Sequence, residues 1–599
     1  MFQQILDPIA GSLVISALCA ALPLVLLFVL LGVFKVKAPK AALASLALSL
    51  VLAIVGWQMP VNQALSATAA GIFYGLFPIL WILVNALWIY RLTVATPWFE
   101  VLGRTIRSIS NDLRILSILI AFCFGALLES LAGFGAPVAI SAAMLMAAGM
   151  KPLKSAIVSL LANTAPVAFG AMAAPIIALN GVTGLPLNEL SSMAGRQTPF
   201  IALIVPLLLV FIVDGRRGVK QTWPVALVAG VAFGAAQFVT SNYFAVELTD
   251  VVASVVTVAA VLLMLKVWQP KETVGMGGAV EAVEAAEEAA QAAAVGARAG
   301  AGAGSAGSAG SASGAGSASS KHSAEPPASG SAVPTDSAVP TDSGVPTDNT
   351  RPEPRQIWMA IAPYLIIIAV FSVAQIPFVK AWLSQVGSVT FAWPGLDITD
   401  SAGKPVAATK FKLDHLKATG TLLMLSGLLT MVLYKITASQ GLRIYRDTLV
   451  QLRWTIVTVT AVLGLSFVMN LSGQTTTLGF ALASAGGLFA ILSPLIGWIG
   501  VALTGSDTSS NSLFGQMQAT AAEQTGLSPV LMAASNSSAG VMGKMLSLQN
   551  LAVASAAVGL DGAEGTLFRK LLGWSLGLLA LITVLIFLQS TPVLGWMVP

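Results

Sequence analysis

Charge is what this chain has least of: of its 599 residues, 10% are Asp, Glu, Lys or Arg, against about 25% in an ordinary soluble domain. So little charge cannot cover the surface of a soluble protein of this length, which excludes a soluble enzyme or scaffold. Histidine and cysteine are scarcer still, with two of each. Those counts exclude a Cys/His metal site. Cys19 and Cys123 both lie in apolar segments and read as small buried hydrophobes rather than a disulfide. His322 and His415 fall in polar connecting segments, so no Ser/His/Asp order supports nucleophilic catalysis. No P-loop is found either, since Gly540 to Lys544 lacks its spacing and its Ser/Thr. No stretch combines dense Lys/Arg with aromatic residues, which excludes a nucleic-acid reader. The first apolar run has no Lys or Arg before it. It lacks the basic start of a cleaved signal peptide and reads as a retained membrane helix.

What the chain has in abundance is apolar surface: 56% of it is hydrophobic and its mean hydropathy is +0.85. The fold class that follows is an all-α polytopic membrane protein. Helix-length apolar runs begin at Leu13 to Phe34, Ala41 to Trp57 and Leu65 to Tyr90, and the whole chain accommodates about 12 crossings. Lys35, Lys37, Lys40, Arg91, Arg104, Arg107 and Arg114 place the first loops in the cytoplasm by the positive-inside rule, with both termini outside. Residues 1–268 form an N-terminal membrane half and 356–599 a C-terminal one. Between them, 269–355 is Glu/Ala-rich, then Gly/Ala/Ser-rich, then repeats Val-Pro-Thr-Asp around Val333, Val339 and Val345. That composition reads as a flexible cytoplasmic linker that buries no core.

Two stretches break the apolar pattern. Leu127 to Val138 sets Glu129 in an apolar run and then interrupts the run with Gly133, Gly135 and Pro137. Thr504-Gly-Ser-Asp-Thr-Ser-Ser-Asn511 does the same around Asp507. Acids and unpaired backbone survive at membrane depth only against protein or a watery cavity. Basic residues flank 114–150, which reads as a re-entrant hairpin, followed by a broken helix over 155–180 interrupted at Asn163-Thr164-Ala165-Pro166. The second half repeats the order with a hairpin over 495–526 and a broken helix over 529–558, interrupted at Asn536-Ser537-Ser538. With the hairpins opening to opposite sides, this is an inverted repeat around a central site.

The breaks supply the chemistry. Helix N-termini offer free N–H groups and a positive dipole end to a small carboxylate. Asn163, Thr164, Ser506, Thr508, Ser509, Ser510, Asn511, Asn536, Ser537 and Ser538 add neutral donors, each equally able to cap a helix or bond across helices. Burial favours the neutral form of a carboxyl, so Glu129 and Asp507 are suited to carry a proton with an anion; cation coordination by Asp507 is the other reading. Lys544 fits either a substrate carboxylate or one of these acids. Arg196 sits near the outer end of its helix and snorkels to the interface.

At these residues the chain resembles the bacterial L-lactate permease family. The resemblance spans nearly everything but the linker. It rests on Gly71-Ile-Phe-Tyr-Gly-Leu, Ala132-Gly-Phe-Gly-Ala-Pro137, Asn163-Thr-Ala-Pro-Val-Ala-Phe-Gly-Ala-Met172, Gly195-Arg-Gln197, Thr504 to Asn511 and Gly543-Lys-Met545. Ser130-Leu131, Leu548 and the long linker depart from the family pattern. The resemblance implies inner-membrane uptake of L-lactate, D-lactate and glycolate coupled to protons. It implies no cofactor and no enzyme activity.

Overall fold

A computed structural model describes residues 1–274 and 352–599, apart from Ala132, Phe134 and Asp561. The linker segment 275–351 lies outside the described residues. Helices dominate, and their long apolar faces point outward as they do in a bilayer. The first half contains α1 Leu13–Gly32, α2 Ala38–Val55, α3 Val61–Tyr74, α4 Trp81–Val94, α5 Trp98–Arg107, α6 Leu113–Leu116 and α7 Gly125–Leu131. It continues with α8 Ala136–Ala147, α9 Pro152–Ala162, α10 Gly170–Thr183, α11 Leu187–Ala194, α12 Thr198–Tyr243 and α13 Thr249–Val267. The second half holds α14 Pro354–Gln375, α15 Pro377–Val386, α16 Thr419–Tyr434, α17 Ala438–Ser472 and α18 Gln474–Ala483. Then come α19 Phe489–Thr504, α20 Asp507–Thr525, α21 Pro529–Lys544, α22 Leu548–Ala557 and α23 Glu564–Gln589.

Among the described residues, ten helices are long and apolar enough to span a membrane, or eleven if the bent pair 152–162 and 167–183 counts as one span. The sequence-based expectation of about 12 crossings and two hairpins is partitioned differently. Leu113–Leu131 and Gly486–Thr504, expected as hairpin arms, are long enough to span, while Pro529–Lys544 and the bent pair do not count as single straight spans. Two further crossings change. Helix α16 has only 16 residues, short for a roughly 30 Å core. The two crossings expected over 199–244 are joined in α12, interrupted only at Asp214 and Gly215, the latter at φ +62°. That interruption has a local cause. Arg114, counted from sequence with the basic residues that mark the cytoplasmic side, is fully buried. Its guanidinium donates to Asp112, to Asp214 at 3.0 Å, to Gln221 at 2.6 Å and to the Glu272 carbonyl at 2.6 Å. A buried guanidinium needs all of these acceptors. Turning Asp214 inward to supply one of them coincides with the kink.

Four helix breaks shape the interior. Between α7 and α8 the chain turns at Gly133 (φ +45°) and Gly135 (φ +86°), a conformation that a side chain at Cβ disfavours. Pro137 then sits in the first turn of α8, where its missing N–H is harmless. Between α9 and α10 the chain turns at 163–166, and the two arms are bent by 63°. Gly505 (φ +73°) ends α19, and Ser506 caps α20 by accepting from the Ser509 N–H at 3.2 Å. The fourth break, at 545–547, ends on the Ser547 cap of α22.

That fourth break corrects the sequence reading. Helix α21 runs uninterrupted through Asn536-Ser537-Ser538, where a break was expected. Polar side chains unwind a helix when they compete for its backbone. Here Asn536 and Ser537 find partners on neighbouring elements instead, so the backbone ladder is left intact.

Outside the helical body, strand β1 Phe2–Gln3 pairs in parallel with β3 Ile398–Thr399, and β2 Val389–Ala392 pairs antiparallel with β4 Lys410–Leu413. Phe391, Trp393 and Phe411 of this segment pack on one another, and Trp393 and Phe411 also pack on Phe73 of α3.

Candidate functional site

Two of the breaks, the start of α10 and the end of α21 meet around one small cavity. Its volume is about 30 Å³, room for a water molecule or two and well below the roughly 300–1,000 Å³ of an open ligand pocket, so a substrate enters only when the walls part. From the first half come Glu129, Gly133, Val167, Gly170, Ala171 and Pro175; from the second come Gly505, Ser506, Asp507, Thr508 and Lys544. Residues as much as 415 apart in sequence therefore share one chamber, lined by charged, hydroxyl and small apolar groups.

Glu129 and Lys544 form the central contact. Lys544 Nζ donates to Glu129 Oε1, and the two side chains are only 3% and 7% exposed for Glu129 and Lys544. The other carboxylate oxygen, Oε2, accepts from Asn163 Nδ2 at 3.0 Å. The pair thus ties the end of α7 to the end of α21, with Asn163 holding the carboxylate from the break after α9. Of the two partners open to Lys544 from sequence, an acid or a substrate, the structure supplies the acid Glu129.

Asp507 is placed differently. It lies at the first residue of α20, where the positive end of the helix favours a negative group. Ser537 Oγ donates to its Oδ2. Its Oδ1 is buried without a hydrogen-bond partner, and no ion pair to it occurs among the described residues.

The remaining candidates fall into layers. Ser506 and Thr508 line the chamber. Behind it runs a network: Asn536 Nδ2 donates to Asn511 Oδ1 at 2.8 Å and to Ser510 Oγ at 3.2 Å, while Gln518 donates to Asn536 Oδ1 at 2.6 Å. Asn511 Nδ2 in turn donates to the Pro175 carbonyl of α10 at 3.0 Å. These side chains fix the chamber walls and do not line them. Thr164 turns its hydroxyl to the Leu161 carbonyl and caps α9. Ser509 offers its backbone N–H to the Ser506 cap. Ser538 Oγ is buried without a partner. Gly135 faces away, where a Cβ would meet Asn550 and Val553 at 3.2 and 3.3 Å; it lets α8 pack on α22.

Several residues of the site escaped the sequence reading. A Cβ on Gly170 would lie 2.9 Å from Glu129 Oε1, and one on Gly540 would lie 2.9 Å from Asp507 Oδ1. Each glycine makes room for one of the two acids. Ala171, Met172 and Ala173, at φ +45°, +54° and +60°, run left-handed at the start of α10. Such a conformation costs about 1–2 kcal/mol per non-glycine residue, and strain of this kind persists where the surroundings over-determine it.

A family model described as L-lactate permease matches residues 16–303 and 342–593. The chain belongs to the L-lactate permease family. It is 38% identical to the L-lactate permease of Bacillus subtilis strain 168, over all of both chains. It is also 38% identical to the glycolate permease of Escherichia coli K12, over 98% of each. The L-lactate permease of Halalkalibacterium halodurans is 30% identical, over 98% of this chain and 99% of that one. Members of the family are transporters rather than enzymes, and the apolar helices of this chain make it a multi-pass membrane protein.

Proposed function

We propose that this protein carries lactate, glycolate and related 2-hydroxymonocarboxylates across the bacterial plasma membrane by proton symport. The observation that carries the reading is the buried Glu129–Lys544 pair on the wall of the chamber. Among the described residues Lys544 is the one cation lining it, so an incoming carboxylate competes with Glu129 for that ammonium. Once displaced, Glu129 is a buried carboxylate without a counter-charge, a costly state. Taking up a proton removes the cost. Anion and proton then enter together, because the protein charge that the substrate replaces is the charge that the proton cancels.

Asp507 is the second coupling carboxyl of this scheme. Its unpartnered Oδ1 is completed by a proton or by the hydroxyl of a 2-hydroxy acid, which donates and accepts. Val167, Ala171 and Pro175 offer apolar contact to the methyl group of lactate. The hairpins and broken helices of residues 114–180 and 495–558 act as an inverted repeat that exposes the chamber to either side in turn. In this scheme both termini are periplasmic and the linker 269–355 is cytoplasmic.

Purified protein in proteoliposomes tests the proposal. Preloaded unlabelled lactate accelerates entry of labelled lactate through a carrier, and an inward proton gradient drives its accumulation. Absence of acceleration with any 2-hydroxy acid would refute the carrier; acceleration without any response to the proton gradient would refute symport.

A further inference from the structure

Outside the chamber one buried acid has no role in the scheme above. Asp250 is fully buried in the first turn of α13, and α13 packs against α7, which carries Glu129. Asp250 Oδ1 accepts from Gln237 Nε2 at 3.1 Å, while Oδ2 has no hydrogen-bond partner. No Lys or Arg forms an ion pair with it among the described residues.

Gln237 turns its amide nitrogen to Asp250, and its Oε1 lies 2.9 Å from Thr198 Oγ1, whose single hydrogen is shared with the Ala194 carbonyl at 3.1 Å. The same nitrogen reaches the carbonyl of Ala165 at 3.4 Å. Ala165 belongs to the break that begins at Asn163, and Asn163 donates to Glu129. A connected set of groups therefore runs from Asp250, through Gln237 and the break, to the Glu129–Lys544 pair.

We propose that Asp250 is a second proton-binding site of the transporter, set beside Glu129 and linked to it through Gln237 and the helix break at 163–166. This rests on the symport reading given above. A lone buried carboxylate is costly and a proton relieves it; the N-terminal end of α13 favours the charged form. The two tendencies oppose each other, which leaves both forms accessible. The groups facing Asp250 decide between them. Glu129 lies on α7, which packs against α13, and like charges disfavour one another. From α12 it meets the neutral Gln237. Glu247, just before α13, accepts from Thr419 instead. Cys123, in the π-helical turn packed on α13, is buried and uncharged as a thiol.

In this scheme the two acids share one proton. While Glu129 is ionised against Lys544, Asp250 keeps its proton. When a substrate carboxylate takes Lys544, the proton passes from the Asp250 carboxyl to the Glu129 carboxylate. One proton from the extracytoplasmic side then refills Asp250, so a single proton accompanies the anion.

Asp250→Asn in proteoliposomes tests this against wild type. Counterflow of labelled lactate needs no net proton movement and is expected to stay within about threefold. Accumulation driven by an imposed proton gradient is expected to fall at least tenfold, and the pH profile of uptake to flatten. Asp250→Glu is expected to restore both. Gradient-driven accumulation by Asp250→Asn equal to wild type would overturn the site while leaving symport standing. A wild-type protein that ignores the proton gradient would instead overturn symport, and this site with it. Should Asp250→Asn fail to insert, dicyclohexylcarbodiimide, which modifies protonated buried carboxyls, is applied to the wild-type protein. Modification of Asp250 that declines as pH rises is the expected result, and no modification at any pH would overturn the proposal.

Discussion

The Glu129–Lys544 pair makes a demand that a double-mutant cycle can measure. Both side chains are nearly sealed from solvent, at 3% and 7% exposure, so little screening weakens the pair. Removing one partner of a buried pair costs about 3–5 kcal/mol, because the other is left as an uncompensated charge. Glu129→Gln keeps the shape and the contact to Asn163 but strands the Lys544 ammonium. Lys544→Met keeps the length of the stem but strands the Glu129 carboxylate. The double variant strands neither. Its loss of stability is expected to fall short of the sum of the single losses by about 2–3 kcal/mol, the upper range for directly contacting residues. The assay is denaturant or thermal unfolding of the four proteins in detergent micelles, with lactate counterflow measured in parallel. Lys544→Met and the double variant are expected to lose lactate counterflow, the double variant despite its recovered stability, since both lack the cation for the substrate carboxylate. Glu129→Gln, which mimics the protonated acid, is expected to lose proton-driven accumulation more than counterflow. Additivity within about 0.5 kcal/mol would show that the two groups do not act as a pair. A stable double variant that still transported lactate would remove Lys544 from substrate binding.

Further outcomes test the neighbouring walls. Gly170→Ala places a methyl group 2.9 Å from Glu129 Oε1 and is expected to reduce transport severalfold in correctly inserted protein; Glu129→Asp, which withdraws the carboxylate, is expected to recover part of it in the combined variant. Ala173→Gly relaxes a left-handed residue at φ +60° and is expected to stabilise the protein by about 1 kcal/mol, read as a rise in melting temperature. Asn536→Leu leaves Gln518, Asn511 and Ser510 short of a partner, with an expected loss of about 1–3 kcal/mol and little change in lactate affinity; a large affinity change at unaltered stability would place Asn536 against the substrate. Deleting residues 300–330 is expected to leave transport kinetics unchanged in inserted protein, and their loss would contradict a passive linker.

Glu129 and Asp507 were legible in the sequence because an acid inside an apolar run is costly wherever it lies, and the glycines beside each marked a place where backbone turns. What pairs with each acid was not legible. Lys544 is 415 residues from Glu129, and nothing in either local pattern chooses between the two acids. Gly170 and Gly540 were missed for a related reason: each matters through the Cβ it lacks, facing a side chain that only the fold brings near. The polar run Asn536-Ser537-Ser538 was misread as a break because a polar cluster at membrane depth has two physical solutions. The helix can unwind around it, or neighbouring helices can supply its partners, and the choice depends on residues such as Gln518 and Asn511. Arg114 misled in the same way. A count of basic residues places it in a loop, whereas Asp112 and Asp214 draw it into the interior.

The position of the pair also constrains how the chamber can open. Glu129 ends α7 in the first half and Lys544 ends α21 in the second, so the ion pair crosses the seam between the halves. A displacement that parted Glu129 from Lys544 in the empty protein would leave two uncompensated buried charges at a cost of several kcal/mol, so the elements that carry the pair must move together while the chamber is empty. With a substrate carboxylate on Lys544 and a proton on Glu129, the same displacement separates no ion pair. The loaded carrier is therefore free to move where the half-loaded one is held, and the empty carrier must return with the pair closed and moving as a unit. That asymmetry is what symport requires: an anion without its proton leaves Glu129 charged and unpaired, and a proton on Glu129 without an anion leaves Lys544 unpaired. Net uptake by Asn163→Ala probes the argument, because Asn163 steadies Glu129 from its far oxygen at 3.0 Å without touching Lys544. Loss of that hydrogen bond to a charged group, worth about 1.5–3 kcal/mol, lowers the cost of releasing Glu129 from the pair. The expected result is a proton leak through the carrier in the absence of lactate, seen as faster decay of an imposed pH gradient in proteoliposomes. A variant as proton-tight as wild type, yet active in counterflow, would show that the pair across the seam is not what holds the half-loaded states in place.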